Sequence, residues 1–520
     1  MRILGISPYH DSSVCVLNNN KIELFLKEER LSGIKRDMHP WKSINYVLKQ
    51  YGNTIDHIIL ASPYISEYNN FIFKYLEKSF NAQVMDMSGQ HHMQHASLAF
   101  YNSGFDEAVV LVIDRNGSFF EDVGYEAESV FLASYPHMFK ELYKTFAKDN
   151  ELGIVKVYES ATTLIGQHPL ENGKTMGLSS YGNEVDSILL FDKDGIPKDS
   201  LFDGVVVDGF GHNKAMILKQ HKHKIVNAVS KENYQEYANH ASLVQRQTQK
   251  EVLKLIKEFS KSTGVKNICI TGGYGLNVVA NNYYLENCED LNFYFEPLAD
   301  DSGNSIGAAM FLYRELTGDK TISPISNTFF HGSHHDVNID KDKVSYKDVV
   351  NVLNDGKTVG VFGGLAEGGP RALGNRSILF DPRVLNGKDI VNKIKNREWY
   401  RPFGAVMLQE DFEENFYTNG YNKNDYMTVA YKAKDGVNLK IPSVIHVDNT
   451  CRIQTVSSGH IYELLKEFKK ETGIGILLNT SLNIAGQPLI ETPEQALDML
   501  KLTSLDHIWF YEKNILETRV

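Results

Sequence analysis

The segment GQHHMQHASLAF sets His91 and His95 four residues apart, so on a helix both imidazoles share one face, as in the metal-binding HExxH spacing. His92 and His95, three apart, form an alternative pair. The Glu of HExxH is absent, which removes a metalloprotease reading and requires further ligands from elsewhere in the chain. Asp114, closing the apolar run AVVLVID, and Asp300 or Asp301 in the loop ADDSGNS are the carboxylates that local structure places best. A His and Asp donor set suits iron(II), manganese or zinc better than a thiolate-preferring ion. The bland alternative is a polar helix face.

A second chemistry is written in cations. EGGPRALGNRSILFDPR supplies Arg371, Arg376 and Arg383, and IKNREWYRPFG supplies Lys395, Arg397 and Arg401. Guanidinium groups set among Gly and Pro make a rigid, donor-rich pocket for phosphate or carboxylate. Arg452 in CRIQTV and the polar turn LLNTSLN, with Asn479, Thr480, Ser481 and Asn483, add directed donors. In TGGYGLN, Gly272, Gly273 and Gly275 follow a strand and Asn277 opens the next helix, so backbone N–H groups there could receive a phosphate or cradle a nucleoside. A tight turn is the simpler alternative. ENGKTMG is not a Walker A loop, because His168 stands where its first glycine belongs; Lys174 is left as a lone phosphate contact or a surface lysine.

These residues need strands and helices to hold them. RILGIS, SSVCVL and KIELFLK read as three strands, with Asn18 to Asn20 turning the second into the third. Strand, Asp-containing polar loop and strand return at AVVLVID (108–114), RNGS and VFLASYPH, which suggests a duplicated domain. Asn239 to Ser262 has helical apolar spacing and feeds the strand VKNICIT; Pro493 to Leu502 is a second clear helix. Residues 318–342 lose periodicity and gather Gly, Pro, Ser, Asn and Asp, placing a domain boundary near 340, after which strands such as TVGVFGG and IGILLN again alternate with helices.

Composition sets the limits. The chain has 520 residues, 42% hydrophobic and 23% charged, ordinary values for a water-soluble globular protein of two to four domains. Its 54 Lys and Arg against 65 Asp and Glu give −11, so no global positive field exists to hold a nucleic-acid backbone or an anionic membrane. No apolar run reaches the ~18 residues of a membrane span. Cys15, Cys269, Cys288 and Cys451 form no CxxC, and MRILGISPYHDSS has too short an apolar core for a signal peptide, so a reducing, cytoplasmic setting is expected.

With these residues in view, the chain resembles the O-carbamoyltransferase family that includes the nodulation-factor, aminoglycoside, ansamycin and cephamycin carbamoyltransferases. The resemblance runs through ILGISPYHDSS, EER to Lys35, HHMQHA, GKTMGLSSYG, GGYGLN, DDSGNSIGAA, GPRALGNRSIL, REWYRPFG, RIQTV and NTSLNIAGQPL. It implies an α/β protein with an N-terminal actin-like ATPase (Kae1-like) duplicated domain over 1–340 and a YrdC-like α/β domain over 341–520. In such enzymes the YrdC-like domain combines ATP, with Mg, and carbamoyl phosphate to give carbamoyladenylate, pyrophosphate and phosphate. The Kae1-like domain then passes the carbamoyl group to a hydroxyl and releases AMP.

Carried over by motif, Arg371, Lys395, Arg401, Arg452, Asn479 and Ser481 would bind ATP and carbamoyl phosphate, while Gly272, Gly273 and Asn277 would line a nucleotide. His91, His95, Asp114 and Asp301 match the family's metal ligands, with iron(II) or another divalent ion expected. His10 and Lys35 fall beside the acceptor hydroxyl and the carbamoyl group, as base and oxyanion stabiliser. Two departures stand out: Leu365 occupies the place of a family Arg in GGLAEGGPRALG, and Tyr274 alters the usual GGVALN. The acceptor is expected to be a hydroxylated natural product or a hydroxymethylated pyrimidine nucleotide such as 5-hydroxymethyl-dCMP, with no membrane partner; family members include dimers, so a homodimer is a further expectation. The alternatives are a tRNA N-carbamoylation enzyme, which would need a basic tract the chain lacks, and a non-catalytic ATP-binding regulator, which the intact ligand and cation sets disfavour.

Overall fold

The structure is a computed structural model that describes residues 1–64, 67–183, 188–205, 215–322 and 329–519. By its contacts the chain divides into two units, one of Met1–Ile6 and Asn53–Pro324, the other of Ser7–Gly52 and Ile325–Val520. Both are mixed α/β. Among the described residues no helix is long and apolar enough to cross a membrane.

In the first unit, Arg2–Ser7 runs parallel to His57–Leu60, which runs parallel to Gln83–Asp86. A six-stranded sheet is built around Glu107–Ile113, whose apolar run is buried at every position after Glu107, as expected of a strand covered on both faces. It pairs in parallel with Asn267–Thr271 and antiparallel with Gly124–Ser134. Asn292–Phe295 extends one edge, and Met138–Ala147 and Phe119–Phe120 pair with Gly124–Ser134 at the other. The repeated strand, polar loop and strand pattern is present at both expected places, as Arg2–Ser7 before the hairpin Ser13–Asn18 and Lys21–Lys27, and as Glu107–Ile113 before Gly124–Ser134. The helix expected over 239–262 spans Tyr234–Thr263, five residues longer at its start (239 − 234).

Two helices of this unit bear directly on function. His91–Ser103 packs against Asn304–Thr317 so closely that a Cβ on Gly307 would lie 2.1 Å from the Gln94 carbonyl oxygen, and one on Gly303 2.4 Å from Leu98 Cδ2. Only glycine admits that approach, which sets the start of the second helix beside the first turn of the histidine helix. At the end of Asn292–Phe295, Glu296 is fully buried and accepts from the Leu298 amide, Asn102 and Tyr294. Burial pushes its carboxyl up to about 7, the three donors only partly opposing it. Because the folded value exceeds the unfolded one, stability is full below pH ~4.5 and is lost as pH rises toward 7, by about 3 kcal/mol at most. Glu296→Gln is therefore expected to remove that slope and to raise stability at pH 8, measured by urea unfolding between pH 4.5 and 8; an unchanged slope would reject it.

The second unit holds a nine-stranded sheet in the order Phe416–Tyr417, Ala430–Ala433, Thr450–Val456, Gly404–Leu408, Ile476–Ser481, Arg376–Phe380, Val359–Phe362, His507–Phe510, Ile515–Thr518. Alternation assigns its faces. Val359 and Val361 join the core made with Tyr346–Asn354 and Gly459–Thr472, while Phe362 and Ile378 join the core made with Pro493–Leu502. Pro493–Leu502 has the bounds expected, fixed by a capping box between Thr492 and Gln495 with Pro at the first turn. In the segment 318–342, residues 323–328 lie outside the described residues; the described remainder beyond Gly318 carries no helix or strand apart from an isolated bridge between Phe330 and Glu367. All four cysteines are buried and free.

Candidate functional site

The histidine helix begins at His91, whose backbone N–H donates to Ser118 Oγ at 3.0 Å. Ser118 belongs to the loop that leaves Glu107–Ile113 through Asp114, so one loop fixes both the helix start and the first carboxylate. Asp114 Oδ1 accepts the Gly273 N–H at 3.0 Å. The preceding Gly272 has φ +77°, and a Cβ there would lie 2.6 Å from the Ile113 carbonyl oxygen, so the turn requires glycine. The glycine loop thus gives the Gly273 amide to a carboxylate of the protein itself.

Four side chains converge there. One ligating atom from each of His91, His95, Asp114 and Asp301 lies within 4.8 Å of the others. His91 Nε2 is 3.3 Å from Asp114 Oδ2 and 3.5 Å from Asp301 Oδ1; His95 Nε2 is 3.5 Å from Asp301 Oδ1 and 3.2 Å from His91 Nε2. A cation about 2.1 Å from each donor puts neighbouring donors ~3.0–3.4 Å apart, so these separations fit a single first-row divalent ion. Burial opposes protonating His91, but the Asp301 charge and hydrogen bonds to both carboxylates outweigh it and raise the ring to about 10. Burial likewise opposes ionising Asp114, and the His91 hydrogen bond and the histidine charges hold it well below the usual carboxylate range. Asp114 is thus kept ionised, and it shares the two histidines with the partly buried Asp301.

The structure places the two alternative candidates, His92 and Asp300, apart from this cluster. His92 points elsewhere, its Nδ1 2.7 Å from Ser129 Oγ, and burial lowers it to about 4, leaving it neutral. Asp300 turns back to accept from the Ser302 amide and hydroxyl, capping the turn, and leaves Asp301 to face the histidines. Asn277 caps the helix Val278–Asn287 by accepting from the Ala280 N–H and exchanges hydrogen bonds with Gln245. Tyr274 is buried, its hydroxyl 2.9 Å from Thr248 Oγ1. Lys174 is bound by Gln167 at 2.6 Å and Glu171 at 3.0 Å.

In the second unit the cations fall into two groups. Arg376 is fully buried, donating to the Gly363 and Asn375 carbonyls with its guanidinium 3.8 Å from the Phe362 ring centre, and Arg383 grips Asp381 through two nitrogens. These two hold the fold. Lys395, at the end of helix Gly387–Lys395, sends its buried Nζ to Ser481 Oγ at 3.1 Å and to the carbonyl and side-chain oxygens of Asn483 at 2.9 Å each, and also to the Ser481 carbonyl. Burial and the charges of Arg397, Arg401 and Lys35 push its ammonium well below the ordinary lysine range. Arg397 is pushed down by burial, Arg401, Arg452 and Arg371, with Glu398 opposing, and burial with Arg401 brings Arg452 down to about 10. Arg401 has the Glu398 carboxylate at 3.3 Å. Asn479 is fully buried and donates to the Ala372 carbonyl and to Gln454. Like charges crowded in a medium of effective dielectric ~20 repel by a few kcal/mol, and a bound anion would relieve that repulsion.

His10 and Lys35 belong to the same unit. Asp11 Oδ2 lies 3.0 Å from His10 Nδ1, and Asp11 Oδ1 accepts from Lys27 at 3.2 Å. Tyr9 and Ser12 donate backbone hydrogen bonds to Met38 and Asp37, tying the His10 loop to the stretch that follows Lys35. Sequence reasoning missed Ser118, whose hydroxyl anchors the histidine helix, and Asn304, whose Nδ2 lies 3.3 Å from His95 Nε2; the only trace of the latter is its place three residues after Asp301.

A carbamoyltransferase N-terminus profile matches residues 66–310 and a carbamoyltransferase C-terminus profile matches 350–516, together most of the chain. The chain belongs to the carbamoyltransferase family. The carbamoyltransferase is 29% identical to the uncharacterized protein MJ1051 of Methanocaldococcus jannaschii over 97% of each chain. It is 26% identical to nodulation protein NolNO of Sinorhizobium fredii over 96% of this chain and 77% of the relative. Among solved structures, full-length HypF in its phosphate- and nucleotide-bound form is similar at 14% identity and a TM-score of 0.37, covering 62% of this chain and 56% of that one. In this carbamoyltransferase the place of the expected family Arg holds an exposed Leu365, whose carbonyl accepts from Asn375.

Proposed function

We propose that the protein is an ATP-dependent O-carbamoyltransferase that uses carbamoyl phosphate through a carbamoyladenylate intermediate. The observation that carries this reading is the set of like charges around Lys395, where Arg397, Arg401 and Lys35 bear on its ammonium and Arg401, Arg452 and Arg371 bear on Arg397. ATP and carbamoyl phosphate, both anionic, supply negative charge there, and the same donors stabilise the charge that grows as pyrophosphate leaves. Asn479 and Ser481 shape the wall on which Lys395 is fixed. In this reading the YrdC-like part, 341–520, makes the adenylate and the actin-like (Kae1-like) part, 1–340, transfers it.

His91, His95, Asp114 and Asp301 would hold a divalent metal, iron(II) above all, and its chemistry there is that of a template and Lewis acid for a phosphate oxygen. Gly272, Gly273 and Asn277 frame the loop beside Asp114, with the Gly273 amide orienting that carboxylate. His10, with Asp11 behind its Nδ1, takes the acceptor's hydroxyl proton, and Lys35 offsets charge on the carbamoyl oxygen. Atoms balance: the hydroxyl oxygen bonds to the carbamoyl carbon, the bond to AMP breaks, and the proton passes to His10.

The acceptor is a hydroxylated small molecule, either a natural product or a hydroxymethylated pyrimidine nucleotide such as 5-hydroxymethyl-dCMP. The net charge of −11 favours a free nucleotide over duplex DNA. Mass spectrometry of a panel of alcohols and hydroxymethyl nucleotides, incubated with protein, Mg-ATP, carbamoyl phosphate and iron(II), tests this. One panel member should gain the mass of a carbamoyl group in place of hydrogen, only when both phosphorylated substrates are present; carbamoylation without ATP would overturn the scheme.

A further inference from the structure

Asn304 opens the helix Asn304–Thr317 and is fully buried against the His and Asp cluster. Its Nδ2 lies 3.4 Å from His91 Nδ1 and 3.3 Å from His95 Nε2, while its Oδ1 is buried with no hydrogen-bond partner. A buried amide oxygen left unpaired costs about 1–3 kcal/mol, so the orphan atom asks for an explanation.

What the Asn304 amide must present is set by the His91 imidazole. A cation bound at Nε2 takes that lone pair and forces the proton to Nδ1, so that two donors, Nδ1–H and the amide NH2, confront each other at 3.4 Å. The two ends of a primary amide have nearly the same shape. Turning the Asn304 amide by half a rotation brings Oδ1 to Nδ1–H, replacing two facing donors by a donor and an acceptor without moving either helix.

We infer that Asn304 is the positioning residue of the metal site: its Oδ1 accepts from Nδ1–H of His91 in the metal-loaded protein, fixing the tautomer and plane of that ligand. The inference rests on the proposed metal-binding role of His91, His95, Asp114 and Asp301. Ligating histidines need such an acceptor, and losing one typically weakens metal binding ~10–100-fold. The Gly303 and Gly307 contacts with the histidine helix hold Asn304 within reach.

The test is Co(II) binding by the metal-free full-length chain, followed by chelator competition and by the visible absorption of the bound ion. Asn304→Leu keeps the volume and loses the acceptor, and its affinity should fall ~10–100-fold. Asn304→Asp keeps an acceptor oxygen and should bind at least as tightly as the parent, a rescue that a merely structural role would not give. Pulsed EPR of the Cu(II)-loaded proteins supplies a second readout: the quadrupole coupling of the remote histidine nitrogen should shift in the Leu variant and much less in the Asp variant. Should the Leu variant fail to fold, Asn304→Ser, too short to reach Nδ1, carries the same expectation. Unchanged Co(II) affinity in Asn304→Leu, or equal loss in Asn304→Asp, would overturn the role of Asn304 while leaving the metal site standing. Failure of the parent protein to bind Co(II) would overturn the metal site itself and this role with it.

Discussion

Lys395→Met should lower carbamoyl-phosphate-dependent exchange of labelled pyrophosphate into ATP by at least ~10²–10³-fold, the usual loss when one donor to developing charge is removed from a buried site. Four oxygens, the carbonyl and hydroxyl of Ser481 and the carbonyl and amide oxygens of Asn483, fix Nζ, and Arg397, Arg401 and Lys35 surround it with like charge. Lys395→Arg should rescue little, since a planar guanidinium cannot place one nitrogen at that convergence. Methionine leaves the four acceptors without their donor, at a cost of about 1–3 kcal/mol, so the thermal melt of the variant must be followed alongside. Normal exchange in a folded Lys395→Met protein would remove Lys395 from the chemistry.

The second large effect is expected from His91→Ala, with the opposite division. His91 Nε2 stands 3.2–3.5 Å from the other three ligating groups, so its loss should reduce bound divalent metal from about one per chain to near none and abolish carbamoyl transfer. Pyrophosphate exchange, which belongs to the other cluster, should stay within about twofold of the parent. Metal content by elemental analysis and exchange by isotope counting give both answers on one sample. Lost exchange with intact metal would contradict the separation of the two chemistries.

The histidine pair was legible because helical periodicity alone puts residues 91 and 95 on one face, and the buried run before Asp114 marks that carboxylate as a strand end. Periodicity could not choose between Asp300 and Asp301, since the choice depends on a one-residue turn in which Asp300 binds the Ser302 amide. Asn304 reads in sequence as an ordinary helix-opening residue; its neighbours are 213 and 209 residues away in the chain, and only the packing at Gly303 and Gly307 brings them together. Arg376 and Arg383 lie in the same stretch as Arg371, yet Arg376 donates to backbone carbonyls and Arg383 to Asp381, because an arginine's partners are set by tertiary contacts. The grouping of residues 7–52 with the C-terminal unit is long-range in the same sense: Phe25 donates its backbone N–H to the His331 carbonyl, and Arg30 donates to the Gly369 carbonyl, contacts that no local pattern foretells.

If carbamoyl phosphate and ATP meet on the Lys395 cluster, carbamoyladenylate forms there without any acceptor. Mass spectrometry of the purified full chain with Mg-ATP and carbamoyl phosphate, and no acceptor, tests it most directly. Carbamoyladenylate and AMP should appear only when both substrates are present and should vanish with Lys395→Met. Bound ATP with neither product, in protein whose metal site is filled, would contradict it.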